Sequence, residues 1–327
     1  MKRLLLLIVI TLSALALLSG CTRPRTVQRT ETIMGTEVTV TVVTRSRAQG
    51  SAAIDAAMAE VRRLDEMMSL YKDESELTRV NLAAGRRPVQ VSAEMIEVVL
   101  AAARVSDLTG GAFDITAGPL AVLWQMRLKE NRTPTDAELA LARGRVGYKN
   151  IVIDKKASTL YLSKPGMIMD LGGVAKGYAA DRAAEALGKQ GIQNGIVAIA
   201  GDIRVMGKRP DGSPWRIGVQ HPRDADKTLA VLELSDKSIS TSGDYERFRI
   251  VNKKRYHHII DPRTGGPSTG MISATVVGDS GALIDPLATA LFIVGPEQGA
   301  ALVRQLGLQA ILEDDQGRIT TVNHPSP

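Results

Sequence analysis

Two adjacent histidines, His257 and His258, stand in the stretch YHHIIDPRTGGP, residues 256 to 267, of a chain that holds only four histidines. An imidazole titrates near neutrality, so either ring could act as a general base. The run from Asp261 through Arg263 and Thr264 to a glycine pair reads as a tight turn. On a strand, neighbouring side chains point to opposite faces, so at most one of the two histidines addresses a given site.

Two other stretches supply groups for such a base to act with. DLGGVAKGYAAD, residues 170 to 181, places a glycine pair before an alanine-rich helix. A helix N-terminus there would offer free N–H groups and a favourable dipole to a phosphate, and Gly172 and Gly173 would let a ligand approach the backbone. Lys176 adds a positive charge one turn in. The spacing matches neither of the familiar dinucleotide and nucleotide loops. A plain strand-to-helix turn reads equally well. LIDPLATAL, residues 283 to 291, carries Asp285 and Thr289 four apart, so their oxygens can converge on one helix face. Asp followed by Pro286 is also how a helix begins, with Asp as cap and Pro first inside. A carboxylate, a hydroxyl and nearby carbonyls are hard ligands suited to Mg2+. Cap and ligand both stay open on this spacing.

Tyr71, in SLYKDESELTRVN, could cover a flat ring in a chain that is 3% aromatic. Phe113 and Asp114 lie on the glycine-rich stretch GGAFDITAGPL, where binding groups collect but glycines also simply turn the chain. Ser69 and Lys72 have the S-x-x-K spacing of penicillin-recognising serine enzymes, loosely echoed by SDK at 235 to 237 and RTG at 263 to 265.

The elements that must hold these groups are mixed. EVTVTVVT, residues 37 to 44, alternates and is β-branched, so it reads as a strand. Residues 51 to 68 and 92 to 108 repeat apolar positions at helical spacing, the second opened by Ser92. Thr135 to Ala142 reads as a short helix, followed by strands in NIVIDK and TLYLSK. A strand should lead into the helix after Gly173. Further strands fall around 195 to 206, 215 to 220, 229 to 234, SISTSG and 271 to 278. A helix should start at Asp285 and another span 296 to 307. The lack of a regular βαβ alternation favours α+β, in one two-lobed domain of mixed sheets and helices.

The chain has 327 residues, 44% hydrophobic and 23% charged, with formal net charge +6. That is globular, and the scarcity of aromatics and of dense Lys/Arg blocks argues against nucleic-acid binding. Residues 1 to 20 have a Lys-Arg start, an apolar run and small residues before Cys21, as a secretory leader does. Cys21 is the only cysteine, so no intramolecular disulfide can form. LLSGC resembles a bacterial lipobox, which implies lipidation of Cys21. Residues 21 to 30 are polar and read as a tether, leaving 31 to 327 as the domain.

Taken together, TIMGTEVTVTV, GGAFDITAGPL, DLGGVAKGYAAD, WRIGVQHP, STSGDYER, YHHIIDPRTG and DPLATALFIVG occur in the order found in the ApbE family of FAD:protein FMN transferases, which the chain resembles from about residue 32 to 300. The resemblance implies a Mg2+-dependent enzyme that moves the FMN part of FAD to a threonine hydroxyl of another protein and releases AMP. By position, Met34, Tyr71, Ala112, Phe113, Asp114, Asp170, Lys176 and Ile259 would line the FAD site. Gly173, through its carbonyl, with Asp285 and Thr289 would hold Mg2+, and His258 would be the base. The implied acceptors are flavin-carrying subunits such as those of Nqr- and Rnf-type pumps. The implied location is the periplasmic side of the inner membrane, anchored through Cys21. Two departures stand out: Ala200-Gly201-Asp202 where the family often has Gly-Gly-Asp, and Pro286 after the metal aspartate. The alternatives are an FAD-binding or FAD-hydrolysing lipoprotein and, further off, the serine enzyme using Ser69 and Lys72.

Overall fold

The computed structural model describes residues 24–323. The expected leader and Cys21 lie outside those residues. β1 (Arg25–Ile33) pairs antiparallel with β2 (Thr36–Thr44) through a two-residue turn at Met34 and Gly35. Both turn residues have positive φ, 56° and 69°, the twist that suits a tight hairpin. Residues 25 to 30, expected in the tether, therefore belong to the sheet. An edge strand with exposed side chains is polar, and polarity alone hid it.

α1 (Arg47–Met68) follows, capped by Ser46, whose hydroxyl accepts from the Gln49 N–H. Its apolar stripe, Ile54, Ala57, Met58, Val61 and Leu64, is fully buried. Next come α2 (Glu76–Leu82), β3 (Val89–Gln90), α3 (Ala93–Leu108), α4 (Gly118–Lys129) and α5 (Asp136–Arg143). β4 (Ile151–Asp154) and β5 (Thr159–Leu162) join β3 in a small sheet. α6 (Ala175–Lys189) leads into β6 (Gly195–Ile199) and β7 (Asp202–Met206). The stretch 195 to 206, expected as one strand, is thus a hairpin turning at Ala200 and Gly201. β8 (Trp215–His221), β9 (Asp224–Leu234), β10 (Ser238–Gly243), β11 (Phe248–Val251), β12 (Lys254–His257) and β13 (Met271–Gly278) precede α7 (Gly281–Val294) and α8 (Pro296–Gln305). β14 (Gln309–Asp314) and β15 (Ile319–Val322) finish the chain.

Eight strands form one sheet in the order β1-β2-β6-β7-β10-β13-β14-β15, every pair antiparallel. α1, α6 and α7 cover one face, where Val38, Val40, Val42, Ala274 and Val276 are buried beneath them. The β8–β9 ribbon covers the other face, with Trp215, Ile217 and Leu232 against Ile239, Val277 and Ile311. A smaller lobe gathers Leu120, Trp124 and Leu128 of α4 with Val251 and Ile260. This is the α+β architecture expected. No strand leads into α6, however. Ile168 makes only an isolated bridge to Ala117, and a turn carries the chain to the helix.

α7 starts at Gly281, four residues before the expected Asp285. Its external cap is Asp181 of α6, whose Oδ2 accepts from Gly281 N–H at 2.6 Å and from Ala282 N–H at 3.4 Å. Pro286 consequently sits inside the helix, where it lacks the N–H that would bond the Ala282 carbonyl.

Candidate active site

α6 and α7 exchange caps. Asp181 serves the start of α7, while Asp285 of α7 accepts the Gly177 N–H, in the first turn of α6, at 3.0 Å. Asp285 therefore does cap a helix, but its neighbour's. The crossing is close because both helices carry glycine there. A Cβ on Gly177 would lie 2.2 Å from the Gly281 carbonyl oxygen, and one on Gly281 2.3 Å from that of Gly177.

Beneath the crossing, β10 turns three serines toward the helices at its period of two. Ser238 donates to Asp181 at 2.9 Å, Ser240 to Asp202 at 2.6 Å, and Ser242 lies 3.0 Å from the Thr289 hydroxyl. Asp202 and Asp285 are each 3% exposed. Between them stands Lys176, its Nζ 2.5 Å from Asp202 and 3.6 Å from Asp285. Burial alone would lower the Lys176 pKa, but the two carboxylates outweigh it and raise the value. Asp285 is also raised, first by burial and then by the charge of Asp202, against the pull of Lys176. Two partners of one ion pair would not both rise. The distances resolve this: the ammonium belongs to Asp202, and Asp285 is short of positive charge.

That shortage tests the expected metal. One ammonium faces two buried carboxylates, the Ser242 and Thr289 hydroxyls lie 3.0 Å apart, and Thr289 stands one turn along α7 from Asp285 on the same helix face. A Cβ on Gly173 would lie 3.7 Å from Thr289 Oγ1, so that backbone belongs to the same cluster. Gly177 and Lys176 address only Oδ2 of Asp285. The donor set fits a hard divalent cation. No group of three or more His, Cys, Asp or Glu side chains suited to a metal occurs among the described residues, and a set with one carboxylate would not form such a group.

The two histidines separate cleanly. His257 Nε2 lies 3.0 Å from the Ser268 carbonyl, and its Nδ1 accepts from the Ile259 N–H at 3.3 Å. Both nitrogens are thus occupied, and the ring packs edge-on against Phe292 at 5.4 Å. His258 Nδ1 lies 3.2 Å from the Arg247 carbonyl, whose oxygen also accepts the His258 N–H at 3.1 Å. A carbonyl can only accept, so it assigns the proton to Nδ1 and leaves the Nε2 lone pair available. Crowding by protein atoms lowers the His258 pKa to about 4, helped by the positive charges of Arg247 and Lys176. The residue keeps an exposed edge. Water there offsets part of the effect, and the ring is neutral at pH 7 in either case.

The other expected residues fall into two sets. Tyr71 is 90% exposed, free to cover a ring. Met34 occupies the β1–β2 turn, Ile259 is buried beside His258, and Ala112 and Phe113 are buried. A Cβ on Gly173 would lie 2.9 Å from the Phe113 ring and 3.7 Å from Thr289 Oγ1, so Phe113 adjoins the Ser242 and Thr289 hydroxyls. The carboxylates of Asp114 and Asp170 brace loops. Asp114 accepts from Thr116 and from the Tyr148 N–H, and burial raises its pKa; Asp170 accepts from the Gly172 N–H at 2.8 Å. The Asp261 turn holds its own arginine and closes on the Gly265 N–H at 2.8 Å. Ser69 and Lys72 form no nucleophile–base pair: Ser69 ends α1, and the ammonium pairs with Asp65 and Glu66.

Asp202, Ser240, Ser242 and Asp181 escaped sequence reasoning as site residues. The alternating serines of SISTSG were the available clue, since an apolar strand face should not be serine.

The helix-covered antiparallel sheet and the α6–α7 crossing beside His258 define the chain as an α+β enzyme. The chain belongs to the ApbE family, whose profile matches residues 34–312. It is 36% identical to an FAD:protein FMN transferase of Vibrio cholerae, over 94% of each chain. A Klebsiella pneumoniae protein of the same name is 34% identical, covering 94% of this chain and 91% of its own. Among solved structures, an ApbE protein of Thermotoga maritima superposes with a TM-score of 0.85 at 30% identity, over 91% of this chain and 97% of that one. The Vibrio cholerae flavin transferase ApbE gives 0.81 at 32%, over 92% and 98%.

Proposed function

We infer that the protein is an FAD:protein FMN transferase. The observation that carries the reading is the tautomer of His258: a neutral imidazole with a free Nε2, held beside a buried site that lacks positive charge. FAD would lie along Met34, Tyr71, Ala112, Phe113, Asp114, Asp170, Lys176 and Ile259, its pyrophosphate toward the start of α6. Gly173, Asp285 and Thr289 would hold Mg2+, which when bound neutralises the pyrophosphate and polarises its phosphorus. His258 Nε2 takes the proton from an acceptor threonine. The threonine oxygen forms its bond to the FMN phosphorus as the bond to the AMP phosphate breaks, and AMP leaves. Lys176, fixed by Asp202, holds the departing charge.

The acceptor is a flavin-carrying subunit of the Nqr or Rnf kind. The enzyme is lipidated at Cys21 and held on the periplasmic side of the inner membrane. The support is the sequence before residue 24, where a Lys-Arg start and an apolar run precede Cys21.

The test combines the protein, FAD, MgCl2 and an Nqr-type acceptor domain, then reads flavin fluorescence on the denatured acceptor. A fluorescent band is expected. Release of FMN and AMP without a band would make it a pyrophosphatase. In Asp285→Ala, Mg2+ binding by calorimetry should weaken at least tenfold; unchanged binding would leave Asp285 only its capping role.

A further inference from the structure

The β11–β12 hairpin stands immediately before His258 in the chain. From residue 246 to 255 it carries five cationic side chains, Arg247, Arg249, Lys253, Lys254 and Arg255, against the single carboxylate of Glu246. All of them are exposed. Among the described residues, none of Arg247, Arg249, Lys253 and Lys254 has a carboxylate within ion-pair distance. Arg255 reaches Asp244 at 3.6 Å and covers the Phe248 ring at 4.2 Å. Two apolar side chains, Phe248, 42% exposed, and Ile250, 64% exposed, share one face of the hairpin with Arg255, while Arg249 and Lys254 stand on the other face with Val251 and Tyr256.

The opposite face is anchored. Tyr256 stacks on Trp124 at 5.6 Å, and Val251 is buried in the smaller lobe. The hairpin is thus a fixed arm. It is also tied to the base, since the Arg247 carbonyl holds both the ring and the amide of His258. At the tip, Asn252 and Lys253 both have positive φ, 50° and 63°. Glycine is the usual second residue of such a turn, and this chain keeps a lysine there.

We propose that this hairpin is the docking arm for the acceptor polypeptide, and that it takes an acidic segment of that partner. The proposal rests on the transferase reading, which already requires a protein to reach His258. The unpaired cations Arg249, Lys253 and Lys254 on a fixed arm favour an acidic segment by complementarity and speed its encounter. The tip lies about 15 Å from His258 at the rise of a strand. A segment laid along the arm is delivered to the base.

The triple variant Arg249→Glu, Lys253→Glu, Lys254→Glu tests this, with the milder Lys253→Gln, Lys254→Gln pair beside it should the first fold poorly. With the acceptor domain as probe, KM for the acceptor should rise at least tenfold in the triple variant and about threefold in the pair. FAD affinity, measured by fluorescence without acceptor, should stay within twofold, and kcat at saturating acceptor within threefold. Salt should lower wild-type kcat/KM steeply and the triple variant's little. An unchanged KM for the acceptor would overturn the proposal. So would an equal loss of FAD affinity, which would assign the arm to the nucleotide. Loss of binding to phosphatidylglycerol vesicles with a normal KM would assign it to lipid and overturn it too. Absence of transfer by the wild type would instead remove the transferase reading.

Discussion

The α6–α7 crossing and the β11–β12 hairpin stand on either side of the same chemistry and are built in opposite ways. The crossing is enclosed: Asp202 and Asp285 are almost wholly buried, one ammonium stands between the two carboxylates, and two glycines bring the backbones together. The hairpin is wet, and its cations are mostly unpaired. Buried charges are costly unless their geometry is fixed, so the crossing suits a small, constant ligand such as a pyrophosphate. Exposed charges contribute little to stability and much to encounter, so the hairpin suits a large partner that must come and go. His258 belongs to both, with its ring held by the hairpin backbone and its field set partly by Lys176.

The sharpest way to break this contrast is at the histidines. His258→Ala should lower transfer by about 10²–10⁴-fold while FAD still binds. His257→Ala should keep most activity and lose thermal stability, because that ring fills a place against Phe292. Equal losses of transfer from both would remove the assignment. The pH profile follows from the lowered His258 pKa. The base works neutral, so kcat/KM should rise with pH through a value below the usual 6.5 and be level by pH 7. The sign for stability agrees. A histidine whose pKa falls on folding leaves the unfolded chain binding more protons, so its contribution is present above the unfolded value near 6.5 and is lost as pH drops toward the folded one.

A structural probe comes next. Gly177→Ala places a methyl group against the Gly281 carbonyl, so it should cost about 1–3 kcal/mol and weaken Mg2+ and FAD binding together. Unfolding in denaturant with binding isotherms would check it, and a neutral result would mean the crossing is looser than its distances indicate. The smallest effect concerns the β6–β7 turn. Ala200 has φ of 51°, a conformation alanine resists and glycine accepts. Ala200→Gly should therefore be neutral or stabilising by up to about 1 kcal/mol, a Tm gain of roughly 2 °C, with transfer unchanged. A fall in Tm would show that the entropy glycine adds to the unfolded chain outweighs the relief of strain. The same φ supplies a physical reason for the glycine that the family often has at this point.

Much of the fold was legible in the chain. β2, α1, α3 and α5 announce themselves through alternation, helical spacing and caps at Ser92 and Thr135. The errors cluster where partners are remote. β1 looked like tether because an edge strand needs only one neighbour. The start of α7 was misplaced because Asp-Pro imitates a local cap, whereas the real cap, Asp181, lies 100 residues earlier. β11 and β12 are too short and too charged to signal a hairpin by themselves.

The sequence alone determined the family, through seven ordered motifs, and with it the residue types at the site: an imidazole, a lysine, a carboxylate and a hydroxyl four apart. Tertiary structure decided which histidine has a free nitrogen, that Lys176 belongs to Asp202, and that Asp285 braces α6 while keeping an oxygen open. Those are matters of distance between segments far apart in the chain, and residue type sets which bonds can form but not which neighbours arrive to form them.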